Sequence, residues 1–193
     1  MTVNKPGRPS KATERRAEIL EAMARVVSRD GLDNATVTAV ADEAGMQRTL
    51  VLHYFGDRQG LLEAFIDEVV GEYGRRMVSD DTVPIQARID HAFAYGFYDS
   101  RDDLVVWIEL VAFAARDASI RIRLRALWVD HWLPEVERQL ALVAPTASEE
   151  QISQVAYGLT CLSEAYWAFT LQGVDNSAHA RACARLLLAT LTM

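Results

Sequence analysis

The chain has 193 residues, of which 50% are hydrophobic and 24% charged, with a net charge of −7. That is enough apolar material for one or two cores, and with 10 glycines and 5 prolines it excludes a collagen-like or wholly disordered chain. No apolar run approaches the ~18–20 residues of a membrane span, residues 1–16 are polar and basic rather than leader-like, and Cys161 and Cys183 make no CxxC. We therefore expect no membrane, no disulfide or zinc framework, and a reducing, cytoplasmic setting. The charge is unevenly spread: residues 1–16 sum to +4, residues 1–60 to +1 and the remainder to −8. A basic end on an acidic body suggests two tasks, because binding depends on the local field rather than the net charge.

The pattern reads as all-α. Ile19, Leu20, Met23, Val26 and Val27 form an amphipathic stripe, ended by Arg29-Asp30-Gly31. Thr36 is a candidate N-cap for a short helix over Val37 to Ala44, and after Gly45 a second runs from about Gln47 to Tyr54. Asp57 can cap a longer helix over roughly 58–77, with Leu61, Leu62, Phe65, Ile66, Val69, Val70 and Tyr73 as its stripe. A break at 80–84 precedes a helix expected to reach about Tyr98. Ser100 with Asp103 resembles a capping box for a helix from Asp102 to about Arg116 that is apolar almost all round, as buried helices are. The next is expected from Ser119 to Leu142 with a kink or an interruption near Trp132, because Pro134 lies inside it. Ser148-Glu149-Glu150-Gln151 is a second capping box, opening a helix to about Leu171; a last one ends near Leu191. The total is about nine helices, with no strand alternation and no repeat.

Function is concentrated near the N-terminus. Two short helices joined at Gly45 and preceded by an amphipathic helix are a helix-turn-helix candidate. Ala41, Gly45, Met46, Val51 and Phe55 supply the small and apolar positions that crossed helices need. Gln47, Arg48, Thr49, His53 and Tyr54 suit a major groove: Arg forks onto guanine, Gln onto adenine, and Thr offers a methyl or a hydroxyl. The alternative is an ordinary solvated helix pair in a bundle.

The run from Thr36 to Met46, then Val51-Leu52-His53-Tyr54-Phe55-Gly56-Asp57-Arg58 and Leu61-Leu62, resembles the TetR family signature over about fifty residues, Arg16 to Phe65. The resemblance implies that Thr36 and Thr38 touch phosphate or nearby bases. It implies that Gln47, Arg48, Thr49 and Leu50 face the groove, that His53 and Tyr54 lie at the far end with Tyr54 on a phosphate, and that Arg58 meets phosphate at the next helix's N-terminus. This chain departs from the family in carrying Leu52 where Tyr is usual and Gln47 where Ser is frequent. Lys5-Pro6-Gly7-Arg8-Pro9 resembles an AT-hook core, in which Lys5 and Arg8 would enter a narrow A·T minor groove; a solvated tail is the other reading.

For the remainder, the resemblance implies a ligand-binding and dimer-forming helical domain. The sequence division expected is a basic flexible arm at 1–10, the helix-turn-helix domain at 11–57 and the ligand-binding and dimerisation domain at 58–193. Pocket candidates are Trp107, Phe113, Trp128, Trp132, Tyr166 and Trp167, though any single aromatic reads more readily as core packing. Glu109 and Glu164 lie in apolar helices, where a carboxylate beside aromatic faces could meet a cationic ligand or pair with an arginine. Ala115 to Ser119 and Tyr166 to Gly173 resemble the BetI type of C-terminal domain. Dimer candidates are Val155, Gly158, Leu162 and Ala165 on one helix and Ala184, Leu187, Leu188 and Leu191 on the last, with an intramolecular face as the alternative.

No P-loop, GxGxxG, GxSxG or HExxH occurs, so an enzyme, a cofactor or a metal has no motif to stand on. The expectation is a homodimeric regulator, most simply a repressor released from a palindromic double-stranded DNA operator by a small-molecule effector. The competing class is a helical ligand-binding or assembly protein whose DNA module is non-functional.

Overall fold

The computed structural model describes residues 11–77 and 82–191. The arm carrying Lys5 and Arg8, and Asp80-Asp81 of the expected break, lie outside them. Among the described residues the secondary structure is helical, without strands. The helices are α1 (Lys11–Asp30), α2 (Val37–Glu43), α3 (Arg48–Phe55), α4 (Arg58–Met77), α5 (Ile85–Ala92), α6 (Arg101–Ala114), α7 (Ala118–Leu127), α8 (Leu133–Val143), α9 (Glu149–Leu171) and α10 (Ser177–Ala189). A π turn over Trp128–Trp132 joins α7 to α8, so these two form one interrupted helix.

The chain divides into two compact units, Met1–Val69 and Val70–Met193. The division lies inside α4, later than the expected boundary at 57/58. The reason is that Leu61, Leu62, Phe65 and Ile66 on the first half of α4 are buried core residues, as are Ile19, Met23 and Val26 of α1.

In the first unit, α1 stops where Gly31 takes a φ of 82°, a conformation costly for any side chain with a Cβ. Val37, Val40 and Ala41 are the buried face of α2, and Val51 and Phe55 that of α3. Glu43 at the end of α2 accepts from Arg25 Nε (2.8 Å) and Arg29 Nη1 (2.9 Å) of α1. Those two guanidinium groups hold its carboxyl below the usual range.

In the second unit α9 packs against α6, α8 and α10, and α10 also meets α5. Both capping boxes form: Ser100 with Asp103, and Ser148 with Gln151. Two expectations, the first and third below, are corrected; the second, an interruption near Trp132, is met and its form defined. First, α5 ends at Ala92, well short of Tyr98. Gly96 turns the chain at φ 105°, and Phe93, Phe97 and Tyr98 on either side of it are all buried. Second, the break near Pro134 is a π turn, with the Leu133 N–H bonded to the Trp128 carbonyl; Pro134 then falls in the first turn of α8, where its missing N–H is harmless. Third, α6 is not buried all round: Leu104, Val106, Trp107 and Leu110 face the core, while Val111 is exposed.

Candidate nucleic-acid interface and ligand site

The geometry of the first unit builds a reading head. Thr36 caps α2 by accepting from the Ala39 N–H at 3.1 Å. Gly45, at φ 63°, turns the chain, and Gln47 sits extended at the start of α3. With Val51 and Phe55 buried beneath, Gln47, Arg48, Thr49 and His53 are exposed, while Leu50, Leu52 and Tyr54 are half-buried. Thr36 and Thr38 are exposed at the start of α2. At ~100° per residue, Thr49 and His53 project most directly away from the buried pair, while Arg48 is exposed in the first turn at an azimuth near that of the buried pair. The side-chain donors of Gln47, Arg48, Thr49 and His53 are therefore on exposed residues.

The corner behind α3 is tight. Gly56 takes φ 78°, and Asp57 caps α4 by accepting from the Gly60 N–H at 2.8 Å. A Cβ at Gly60 would stand 2.1 Å from the Phe55 carbonyl oxygen, so only glycine allows this approach. Two arginines brace the head. Arg16 donates to the Tyr54 carbonyl at 2.6 Å and lies over the Phe55 ring at 4.4 Å, where a cation also suits the α3 C-terminus. Its role was not legible, because the motif says nothing about which α1 residue meets α3. Arg58 donates to the Leu32 carbonyl at 3.2 Å, so it clamps α4 to the turn after α1 in addition to the phosphate role the resemblance implies.

In the second unit the structure gathers Trp107, Trp128, Trp132 and Glu164 and adds Tyr73, which the sequence showed only as one more apolar position of α4. The Glu164 carboxylate accepts from the Tyr73 hydroxyl and, at 3.0 Å, from Trp107 Nε1. Tyr73 stacks on Trp107 with centroids 3.9 Å apart and meets Trp132 at 4.8 Å, while Trp128 stands edge-on to Trp132 at 4.7 Å. The π turn brings those two tryptophans to Tyr73 together. Burial raises the Glu164 pKa above the usual carboxylate value, opposed by its two hydrogen bonds, and burial likewise raises both Tyr73 and Tyr98. This is a half-buried carboxylate held by the polar edges of two stacked aromatic side chains, with two further tryptophans beside them.

The other pocket candidates lie elsewhere. Glu109, two residues past Trp107, points to about the opposite side of α6. Phe113 sits under the Arg116 guanidinium at 5.2 Å. Tyr166 and Trp167 join a neighbouring aromatic group: Tyr166 donates to Asp175 at 3.0 Å and packs edge-on to Phe93, and Trp167 donates to the Ala92 carbonyl at 3.0 Å and stacks near Phe97. Tyr98 belongs to both groups, 6.3 Å from Tyr73 and 5.1 Å from Trp167.

The dimer candidates are divided. Val155, Ala184, Leu188 and Leu191 are buried inside the single chain and cannot serve as an outer face. Gly158 and Leu187 face each other between α9 and α10, so they too serve the protomer. Leu162 is half-buried and Ala165 exposed. The outward stripe instead runs Tyr157, Cys161, Ala165 and Phe169 on α9, with Leu186 on α10. The periodicity identified two amphipathic helices, but each also carries an inner stripe of the same spacing.

Comparison with known proteins agrees with this geometry. Residues 19–65 match the family described as bacterial regulatory proteins, tetR family. The HTH-type transcriptional regulator BetI of Vibrio vulnificus is 27% identical over 173 residues, covering 84% of this chain and 82% of that protein. A TetR-family regulator from Rhodococcus sp. shares the fold at TM-score 0.76 and 22% identity, over 93% of this chain and 100% of that one. A transcriptional regulator from Saccharomonospora viridis, solved in complex with choline, shares it at TM-score 0.71 and 20% identity, over 91% and 96%. Among the described residues no helix is long and apolar enough to cross a membrane. Helix-turn-helix geometry and family match agree: residues 19–65 are a TetR-family DNA-binding domain, and the chain is similar over most of its length to BetI-type transcriptional regulators.

Proposed function

We propose that this chain is a homodimeric repressor that leaves a palindromic operator when a small quaternary-ammonium cation of the choline type binds at Glu164. The observation that carries the effector is one half-buried carboxylate held by Tyr73 and Trp107, with Trp132 packed against Tyr73. Aromatic faces attract a cation that cannot donate hydrogen bonds, and the carboxylate balances its charge. The choline complex of the Saccharomonospora viridis relative supports the same chemistry. DNA contact falls to Thr36, Thr38, Gln47, Arg48, Thr49, Leu50, His53, Tyr54 and Arg58, with Lys5 and Arg8 of the arm beside them. Leu52 has no donor, so this regulator forgoes the phosphate contact that a tyrosine makes there.

The release mechanism follows from α4, which contributes Phe65 to the first unit's core and Tyr73 to the effector site. A two-fold dimer must hold its recognition helices about one DNA turn apart, ~34–36 Å. A cation between Tyr73 and Glu164 has to part groups that now touch, and it therefore favours a different setting of α4. Its differential affinity shifts the population away from the DNA-binding spacing.

The test is fluorescence anisotropy with DNA flanking the chain's own gene, at two salt concentrations, with scrambled DNA as control. Native DNA should be preferred, choline should release it, and Arg48→Ala should cost about 1–3 kcal/mol of specific affinity. Equal binding to scrambled DNA that vanishes with salt would overturn the operator reading, because it reports phosphate contact alone. Indifference to choline would overturn the effector reading.

A further inference from the structure

One opening in the C-terminal unit has no part in that mechanism. It is a cavity of about 100 Å³ between α5, α8 and α9, with Arg76 from the end of α4 at its edge. Ile89, Phe93, Phe97, Val136 and Leu159 give it apolar walls. One group in it is unsatisfied: the Ser163 hydroxyl lines the cavity, is 6% exposed and has no hydrogen-bond partner. A buried hydroxyl nearly always finds a partner, and a helical Ser or Thr can use the carbonyl one turn back. Thr170 of the same helix does so, donating to the Tyr166 carbonyl at 3.0 Å. Ser163 does not, and its proton remains available to whatever enters.

The charge of the lining points to the sign of the ligand. Among the described residues, Arg76, Arg88 and His91 are its ionisable lining residues, all of them basic, and no carboxylate lines it. Arg76 is set by Asp99 at 2.6 Å and Arg88 by the Val83 carbonyl at 2.7 Å, yet a guanidinium has five N–H donors in a fixed fork suited to a carboxylate. This is the opposite of the Glu164 site, where an acid is held among rings. The size points to a single ring: an apolar cavity of ~150 Å³ admits benzene, and this one is smaller but open at one side.

We infer that this cavity is a second ligand site, separate from Glu164, that takes a compact apolar monoanion of the aromatic carboxylate class. The ring lies against Phe93, Phe97 and Leu159, and the carboxylate accepts from the Ser163 hydroxyl and from the basic edge. The regulator would then read two ligands of opposite charge through one helical unit.

The experiment is calorimetric titration of the full chain with sodium benzoate at constant ionic strength, with benzyl alcohol as neutral isostere and choline as a probe of the other site. Benzoate should bind at least ten-fold tighter than benzyl alcohol. Ser163→Ala should weaken benzoate at least five-fold and leave choline unchanged. The same substitution removes an unpartnered buried hydroxyl, so the ligand-free chain should melt no lower than the unmodified one, which separates lost binding from lost folding. Arg88→Gln, at the cavity edge, should weaken benzoate independently. Absent benzoate binding, or binding indifferent to both substitutions, overturns the proposal. Mutual exclusion of benzoate and choline overturns it too, because it means a single site. Failure of choline with benzoate intact strikes the proposed effector alone.

Discussion

Glu164 is the residue on which the effector reading turns. A carboxylate in an apolar stretch is conspicuous in sequence, because burying it costs free energy unless donors meet it. Its donors were not conspicuous: Tyr73 falls on the apolar stripe of α4 at a spacing any core tyrosine would have. Burial raises the Glu164 pKa, so the folded chain holds that proton more tightly than the unfolded one. The stability this group contributes is therefore complete below the ordinary carboxylate pKa and lost as pH rises through the raised one. Cation binding has the opposite dependence, since the cation needs the ionised form. Choline affinity should fall as pH is lowered through the raised Glu164 pKa, measured by calorimetry at stepped pH. Glu164→Gln fits the same space, with its amide able to donate to the Tyr73 oxygen and accept from Trp107. It should lose at least ten-fold in choline affinity, bind without pH dependence in that window, and gain stability relative to the unmodified chain as pH rises. A pH-dependent affinity that survives in the Gln variant would move the titrating group elsewhere. Gly60 makes a second case at this scale. Gly60→Ala puts a Cβ against the Phe55 carbonyl, and overpacking of this kind costs about 1–3 kcal/mol. Urea denaturation followed by helicity should show that loss; an unchanged midpoint would mean that the α3–α4 corner yields freely.

At the scale of elements, caps and breakers were legible because their chemistry is local. Ser100, Ser148 and Gly31 ended or began helices where the side chain or missing Cβ required it. The end of α5 was not legible, because Phe93 and Phe97 continue a helical spacing and only the core decides that both rings turn inward after Ala92. The π turn was half legible: Pro134 announced an interruption, but its form depends on where Trp128 and Trp132 must point. Thr36 joins two roles in one element, capping α2 and standing at its exposed N-terminus. Substitutions can separate them. Thr36→Ala removes the cap and should cost about 1 kcal/mol of stability. Thr36→Asp keeps an acceptor and suits the helix dipole, so the fold should hold, while the added negative charge faces phosphate. Thermal unfolding beside DNA anisotropy at low salt should find the Asp variant as stable as the unmodified chain and at least five-fold weaker on DNA. Equal DNA affinity would leave Thr36 with the cap alone.

For the whole molecule, dimerisation depends on which face of α9 and α10 the chain has already used. The inner stripe, Val155, Ala184 and Leu188, is buried within the protomer, and its truncation damages folding before it touches assembly. The outer stripe is different. Tyr157 is 63% exposed, Phe169 53% and Leu186 70%, large apolar side chains on two adjacent helices. Scattered exposed apolar residues are ordinary, but we propose the row along α9, with Leu186 on α10, as the interaction surface, because a two-fold axis allows one such patch to meet its own copy. Leu186→Glu adds a charge that the two-fold axis brings near its symmetry mate, where like charges repel and neither is solvated. Light scattering during size-exclusion chromatography should find the unmodified chain dimeric and the Glu variant monomeric, with near-native helicity because Leu186 contributes little to the core. The variant should also lose preference for a palindromic operator, since a monomer reads one half-site. Leu188→Ala supplies the contrast: it should lower the melting temperature while the folded fraction remains dimeric. A Glu variant that stays dimeric and keeps the operator would move the interface off this face.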